Sequence, residues 1–333
     1  MKRPRFLPDN FTLALIAVVL ISTVLPARGV AAVGFEYLTD FAIGLLFFLH
    51  GAKLSREAVI AGATHWRLHL LVTACTFGLF PLLGFVLRPV LEPLVTPSLY
   101  AGIMFLCVLP ATVQSAIAFT SLARGNVPAA VCSASASTLI GVFITPFLVG
   151  LLVVPHSGTG ISLGAVGHIM LQLMVPFIAG QLARPLIGGF VTRHAAGLRL
   201  VDQSSILLVV YTAFSAAVIE GLWSRVSIEA LIGLTVVCAV LLGLALCSTT
   251  FLSRRLGFHK ADEITIVFCG SKKSLASGVP MAKVLFAAPA VGAIVLPLMV
   301  FHQMQLMVCA VLAQRYANRQ IPPADLRAAE GDM

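Results

Sequence analysis

Long apolar runs alternate along this chain with short polar segments. Apolar stretches recur ten times, near 11–27, 36–52, 66–88, 98–123, 127–154, 162–184, 203–222, 229–253, 262–286 and 289–314. At about 1.5 Å per helical residue, a run of roughly 20 residues crosses the ~30 Å hydrocarbon core of a bilayer. The pattern predicts an all-α membrane protein of about ten transmembrane helices. It reads as one transmembrane domain over residues 1–333, with 315–333 as a tail. Ten spans divide into two sets of five, roughly 11–154 and 162–314. An odd number per set makes the second set enter the membrane from the opposite side, so any repeat is inverted. Spans four and nine, each the fourth of its set, are interrupted by small, polar and proline residues. The first break reads Leu109-Pro110-Ala111-Thr112-Val113-Gln114-Ser115. The second reads Gly270-Ser271-Lys272-Lys273-Ser274, followed by Ser277-Gly278-Val279-Pro280. Interrupted segments at matching positions of two halves point to a binding site near the midplane.

Composition agrees: 59% of residues are apolar and 11% charged, against roughly 25% charged in soluble domains. Lys2, Arg3 and Arg5 before an apolar run mimic a signal peptide, but so many spans exclude a secreted protein. A net charge of +9 invites a nucleic-acid reading, which the distribution argues against. With the N-terminus in the cytoplasm, 16 of the 22 lysines and arginines fall in inside segments, among them Lys53, Arg124, Arg199, Arg254 and Arg315. Four fall outside: Arg28, Arg88, Arg225 and Lys283. This bias predicts a multi-pass protein of a bacterial inner (plasma) membrane with both termini cytoplasmic, whose surroundings are lipid. The oligomeric state is not set by the sequence. The seven cysteines all lie in apolar stretches without metal-ligand spacing, as small reduced packing residues. Motifs for zinc, nucleotide or nucleophilic-serine chemistry are missing, which favours a transporter over an enzyme and calls for no cofactor.

The sharpest anomaly is Lys272 and Lys273, about ten residues from either end of span nine. Snorkelling covers only part of that ~15 Å. A lysine at the bilayer centre costs about 2.5–3.5 kcal/mol on insertion scales, and no carboxylate is an evident neighbour. A cavity or a bound anion would relieve the cost, so at least one lysine is expected to face a central site. His302 and Gln305 share a face of span ten at i and i+3, either as substrate ligands or as glue between helices. Gln114 and Ser115 in the first break favour the site. Ser133, Ser135 and Ser137 in span five alternate with alanines, fitting close packing as well as ion coordination. His50 suits a structural bond between helices.

At these residues the chain resembles the bile acid:sodium symporter superfamily, and most of all its YfeH-type, symporter-like branch. The resemblance rests on Phe47-Phe48-Leu49-His50-Gly51-Ala52-Lys53-Leu54, Leu109 to Ala116, Ala123-Arg124-Gly125-Asn126, Val267 to Leu275 and Pro297 to Gln305. It implies ten helices in two inverted five-helix repeats, with helices four and nine broken and crossing. It also implies alternating-access transport of organic anions, often driven by sodium held at the breaks. The matching positions are Gln114 and Ser115, the stretch Ser133 to Thr138, and Ser271, Lys272, Lys273 and Ser274. Sodium-coupled relatives carry a carboxylate and a glutamine where this chain has Ser271 to Ser274. Two ammonium groups repel sodium, by about 4 kcal/mol for unit charges at ~4 Å and an effective dielectric of ~20. The family implies a coupling ion that these residues argue against. Either a lysine stands in for the cation, or it gives up its proton in a coupled cycle. The sequence supports a secondary transporter of a small organic anion, and as alternative a regulatory or scaffold protein of the same fold.

Overall fold

A computed structural model describes residues 10–53, 65–153 and 163–319. Helices are the only regular structure among the described residues, in twelve main segments. They are α1 (Asn10–Val24), α2 (Gly29–Lys53), α3 (Trp66–Val86), α4 (Pro97–Val108), α5 (Val113–Leu122) and α6 (Val127–Val153). Then follow α7 (Leu163–Arg193), α8 (Ala195–Ile219), α9 (Ile228–Arg255), α10 (Lys260–Gly270), α11 (Leu275–Leu285) and α12 (Ala288–Ala317). Single turns at Arg88–Leu91 and Leu222–Arg225 cap two connections.

Seven of these helices are long and apolar enough to cross a membrane: α2, α3, α6, α7, α8, α9 and α12. The pair α4–α5, bent by 62° at residues 109–112, makes an eighth if taken as one span. Helix starts follow local chemistry. Thr96, Asn126, Ser227 and Ser274 each accept a backbone N–H from the first turn they precede, satisfying donors a helix leaves open. Pro97 and Pro128 sit where a missing N–H costs nothing.

The bundle is apolar outside and holds cations inside, the reverse of a soluble protein. Phe41, Leu186, Ile232 and Phe251 are exposed on its flanks, whereas Lys272 and Lys273 are completely buried. That distribution suits a protein surrounded by lipid. The closest helix contact joins α2 and α7. An added Cβ on Gly51 would lie 2.0 Å from the Phe177 carbonyl oxygen, and one on Gly180 would lie 1.9 Å from that of Phe48. Only hydrogen at both positions lets the two backbones meet, the small-residue packing that membrane helices use in place of a hydrophobic drive.

Candidate functional site at two helix breaks

Two interruptions meet in the interior. The first, 109–112, separates α4 from α5, and the second, 271–274, separates α10 from α11. Proline at 110 cannot donate to a helix ladder, and the chain is extended at Leu109 and Thr112, so the last carbonyls of α4 and of the break have no helical partners. Each is met from elsewhere. Lys273 Nζ donates to Cys107 O and Leu109 O, both at 2.8 Å. Thr145 Oγ1 donates to Val108 O at 2.9 Å, and Ser274 N donates to Pro110 O at 2.9 Å. Ser137 Oγ accepts from Ala111 N at 2.9 Å. Pairing of buried backbone groups is what burial away from water demands.

The second break is held in the same way. Gln305, fully buried, accepts from Lys273 N and donates to Lys273 O, both at 2.9 Å. Thr112 Oγ1 adds a 2.7 Å bond to Lys273 O. The other amide hydrogen of Gln305 goes to His302 Nδ1 at 2.9 Å, so a neutral His302 carries its proton on Nε2. The two breaks therefore form one hydrogen-bonded unit.

Neither lysine faces the cavity, contrary to the expectation from the sequence. Lys273 Nζ has a third acceptor, Thr76 O at 2.7 Å, in a π-helical turn of α3 at Cys75–Leu79. The ammonium also sits 4.2 Å from the Phe80 ring centroid. Three carbonyls and one ring face fully occupy it. Lys272 has a single carbonyl partner, Ser115 O at 3.0 Å, and lies 3.8 Å from the Phe119 centroid and 5.3 Å from that of Phe268. Buried charge is thus compensated by backbone dipoles and ring quadrupoles, not by carboxylates.

Beside the two breaks lies a cavity of about 340 Å³. The N-terminal residues of both following half-helices line it: Val113, Gln114 and Ser115 of α5, with Ser274, Leu275, Ala276 and Ser277 of α11. Helix N-termini present open N–H groups and partial positive charge. Ser274 caps α11 through Ser277 N at 3.2 Å. The hydroxyl of Thr112 is engaged with Lys273 O, and α5 has no side-chain cap. Ser115 Oγ is buried without a hydrogen-bond partner. The remaining wall holds His50, Lys53, Arg199, Asp202 and His302, with Ser135 and Thr138 from α6. Lys53 is ion-paired with Asp202 across α2 and α8, while Asp202 Oδ1 is buried without a partner. Two lysine and arginine charges against one carboxylate, plus two helix N-termini, make the cavity electropositive.

Of the candidate site residues singled out from sequence, Gln114, Ser115, Ser135, Thr138, Ser274 and His302 line the cavity. Lys272, Lys273, Ser137 and Gln305 hold the breaks behind it. Ser271 Oγ bonds its own helix at Val267 O, 2.6 Å away, and Ser133 Oγ pairs with His69 Nδ1 at 2.7 Å. Those two are away from the cavity. Sequence reasoning gave no binding role to Lys53, Arg199 and Asp202, which read as loop or span-end charges, nor to His50, read as structural. Their approach depends on packing between helices remote in sequence, and no local signal marks it.

Comparison with known proteins adds a separate line of evidence. The model of the SBF-like CPA transporter family matches residues 9–318. The chain is 72% identical over 320 residues to a Pseudomonas aeruginosa protein named only as uncharacterised, covering 96% of each chain. It is 60% identical over 312 residues to the Escherichia coli protein named "Putative symporter YfeH", covering 93% of each. It is 27% identical over 275 residues to rat sodium/bile acid cotransporter 7, covering 81% of this chain and 80% of that one.

Proposed function

The chain belongs to the SBF-like CPA transporter family, and from that premise we propose that it is a secondary transporter of a small organic anion, working by alternating access. The observation that carries this is the opening of two half-helix N-termini, α5 and α11, onto one electropositive cavity. Half-helix N-termini at a midplane break are the ordinary membrane solution for an anionic group. A volume of about 340 Å³ lies near the lower end of the ~300–1,000 Å³ range of ligand pockets, which supports a compact solute. Gln114, Ser115, Ser274 and His302 contact it in this reading, and Lys53 and Arg199 attract it.

Sodium is not the coupling ion in this proposal. The ammonium of Lys273 stands among three inward carbonyls, as a bound cation would, and Lys272 adds a second fixed charge nearby. The full reading has ten spans. To the seven long helices and the bent pair α4–α5 it adds α1, 15 residues or ~22 Å long, and the broken pair α10–α11. The breaks then fall fourth in each of two inverted sets of five, and the basic loops lie in the cytoplasm with both termini.

The test is uptake of labelled small carboxylates and phosphate esters into proteoliposomes, in sodium and in choline buffers with the pH gradient clamped. Saturable uptake of an anion at equal rates in both buffers is expected. A rate rising saturably with sodium would overturn the ion assignment. Uptake of organic cations, with anions inert, would overturn the substrate class.

A further inference from the structure

A second cavity lies on the outer face of the bundle, away from the breaks. It is a groove of about 990 Å³ along α9 and α12. On α9 its wall is Cys247 and Phe251, and on α12 it is Val308 and Val311, one helical turn apart in each case. Both stripes then end in arginine. Arg254 and Arg255 occupy the last turn of α9, and Arg315 the last turn of α12.

The electrostatic state of that end is specific. Among the described residues, none that lines the groove is acidic. The adjoining carboxylate, Glu263, is already shared by Arg254 at 3.2 Å and Lys260 at 2.6 Å. Among the described residues, Arg255 and Arg315 have no carboxylate partner. Orientation bias and helix C-terminal dipoles account for arginines at such ends. They do not account for arginines from two helices converging at one end of an apolar groove. A soluble anion would not use the groove's apolar length, and a zwitterionic lipid would leave the guanidinium charges uncompensated.

We infer that this groove binds an anionic phospholipid, its acyl chains along Phe251, Val308 and Val311 and its phosphate at Arg255 and Arg315. Basic pockets at the cytoplasmic ends of membrane helices recognise such headgroups by charge. The inference does not depend on what the central cavity carries.

Cys247 supplies the reporter, because it is exposed while the other six cysteines are buried. The full-length protein in detergent would be reacted with a maleimide during titration with phosphatidylglycerol, phosphatidylcholine of the same chains, or glycerol phosphate. Phosphatidylglycerol should slow labelling at concentrations at least tenfold below phosphatidylcholine, and glycerol phosphate should not slow it. The double variant Arg255→Gln with Arg315→Gln should lose that preference, at about fivefold per arginine, and the corresponding double lysine variant should keep it. High salt should erode the preference in the parent protein, a check that needs no variant. Equal protection by both lipids, or a preference that survives both the glutamines and high salt, would overturn the inference. Protection by glycerol phosphate alone would make this a soluble-anion site. Labelling that slows with protein concentration in lipid-free samples would make it a contact between copies. Either result also overturns the inference.

Discussion

Replacing Lys273 by methionine tests the role of its ammonium most directly. Methionine keeps the length of the side chain and removes its donors. Three carbonyls, Thr76, Cys107 and Leu109, lose charge-assisted bonds of 2.7–2.8 Å. A buried acceptor left without a partner costs about 1–3 kcal/mol, so the loss is roughly 3–9 kcal/mol. Removing a buried charge returns about 2.5–3.5 kcal/mol. The expected net destabilisation is on the order of 3 kcal/mol. Lys272→Met is the internal control. It frees one carbonyl, Ser115, recovers the same charge-burial energy and keeps a sulfur contact with Phe119. Its expected effect is within about 1 kcal/mol of zero. Thermal denaturation in detergent, followed by the fraction remaining monodisperse, would separate the two. Lys273→Met should melt lower by about 5–10 °C, and Lys272→Met close to the parent. A Lys273→Met protein as stable as the parent, or a reversed order, would refute the view that this ammonium closes the end of α4.

Other consequences are more local. Asp202→Asn removes the carboxylate from the cavity wall and frees Lys53, so the apparent affinity for a transported anion should rise several-fold, measured as KM for uptake; Arg199→Gln should lower it by a similar factor. Gly180→Ala drives a methyl carbon into the Phe48 carbonyl, so the α2–α7 contact should fail and the yield of monodisperse protein should collapse, whereas Gly189→Ala, with nothing within 4 Å, should be tolerated. Ser98→Cys and Asn318→Cys, in a background without Cys247, should react with an impermeant thiol reagent from opposite sides of the membrane. Labelling of both from one side would contradict the ten-span reading.

The hydropathy pattern located the seven long helices, because lipid imposes length and apolarity on every crossing segment. The same pattern ended the sixth span at Arg184, whereas α7 continues to Arg193. Leu182, Leu186 and Phe190 remain exposed and apolar beyond that charge, which a charge-based boundary discards. Residue type alone also identified both breaks and marked Lys272 and Lys273 as anomalous. Their direction was not legible. A search for lysine partners in a sequence looks for carboxylates, but here the partners are carbonyls, and every residue has one. From sequence, removing either charge looks like pure relief; the geometry reverses the sign for Lys273. Ser133, Ser135 and Ser137 illustrate a second limit. Helical rotation turns Ser133 to His69, Ser137 to the backbone of the first break, and Ser135 to the cavity. The three look equivalent until the neighbouring helices are known. The pairing of Lys53 with Asp202, 149 residues apart, is of the same kind.

A cation fixed by a covalent tether changes what a transport cycle can use. A mobile ion binding at a helix break stabilises one state and then carries its own gradient across. In the proposed cycle, a lysine ammonium supplies the stabilisation permanently and carries nothing, so it would hold the two breaks together without coupling them to sodium. In that proposal the drive comes from the solute's own gradient, from exchange, or from a proton. The two lysines differ in their capacity for the last. Lys273 engages three carbonyls, and loss of its proton would strip one of them of a donor in a fully buried site. Lys272 has one carbonyl and two ring faces, and its carbonyl partner belongs to Ser115, a cavity-lining residue whose own hydroxyl is buried without a hydrogen-bond partner. A change of charge at Lys272 would therefore be felt first at the N-terminal turn of α5, where the anion is proposed to sit. In that proposed cycle Lys273 would be the fixed part of the machinery, and Lys272 the part through which protonation and substrate binding would be linked.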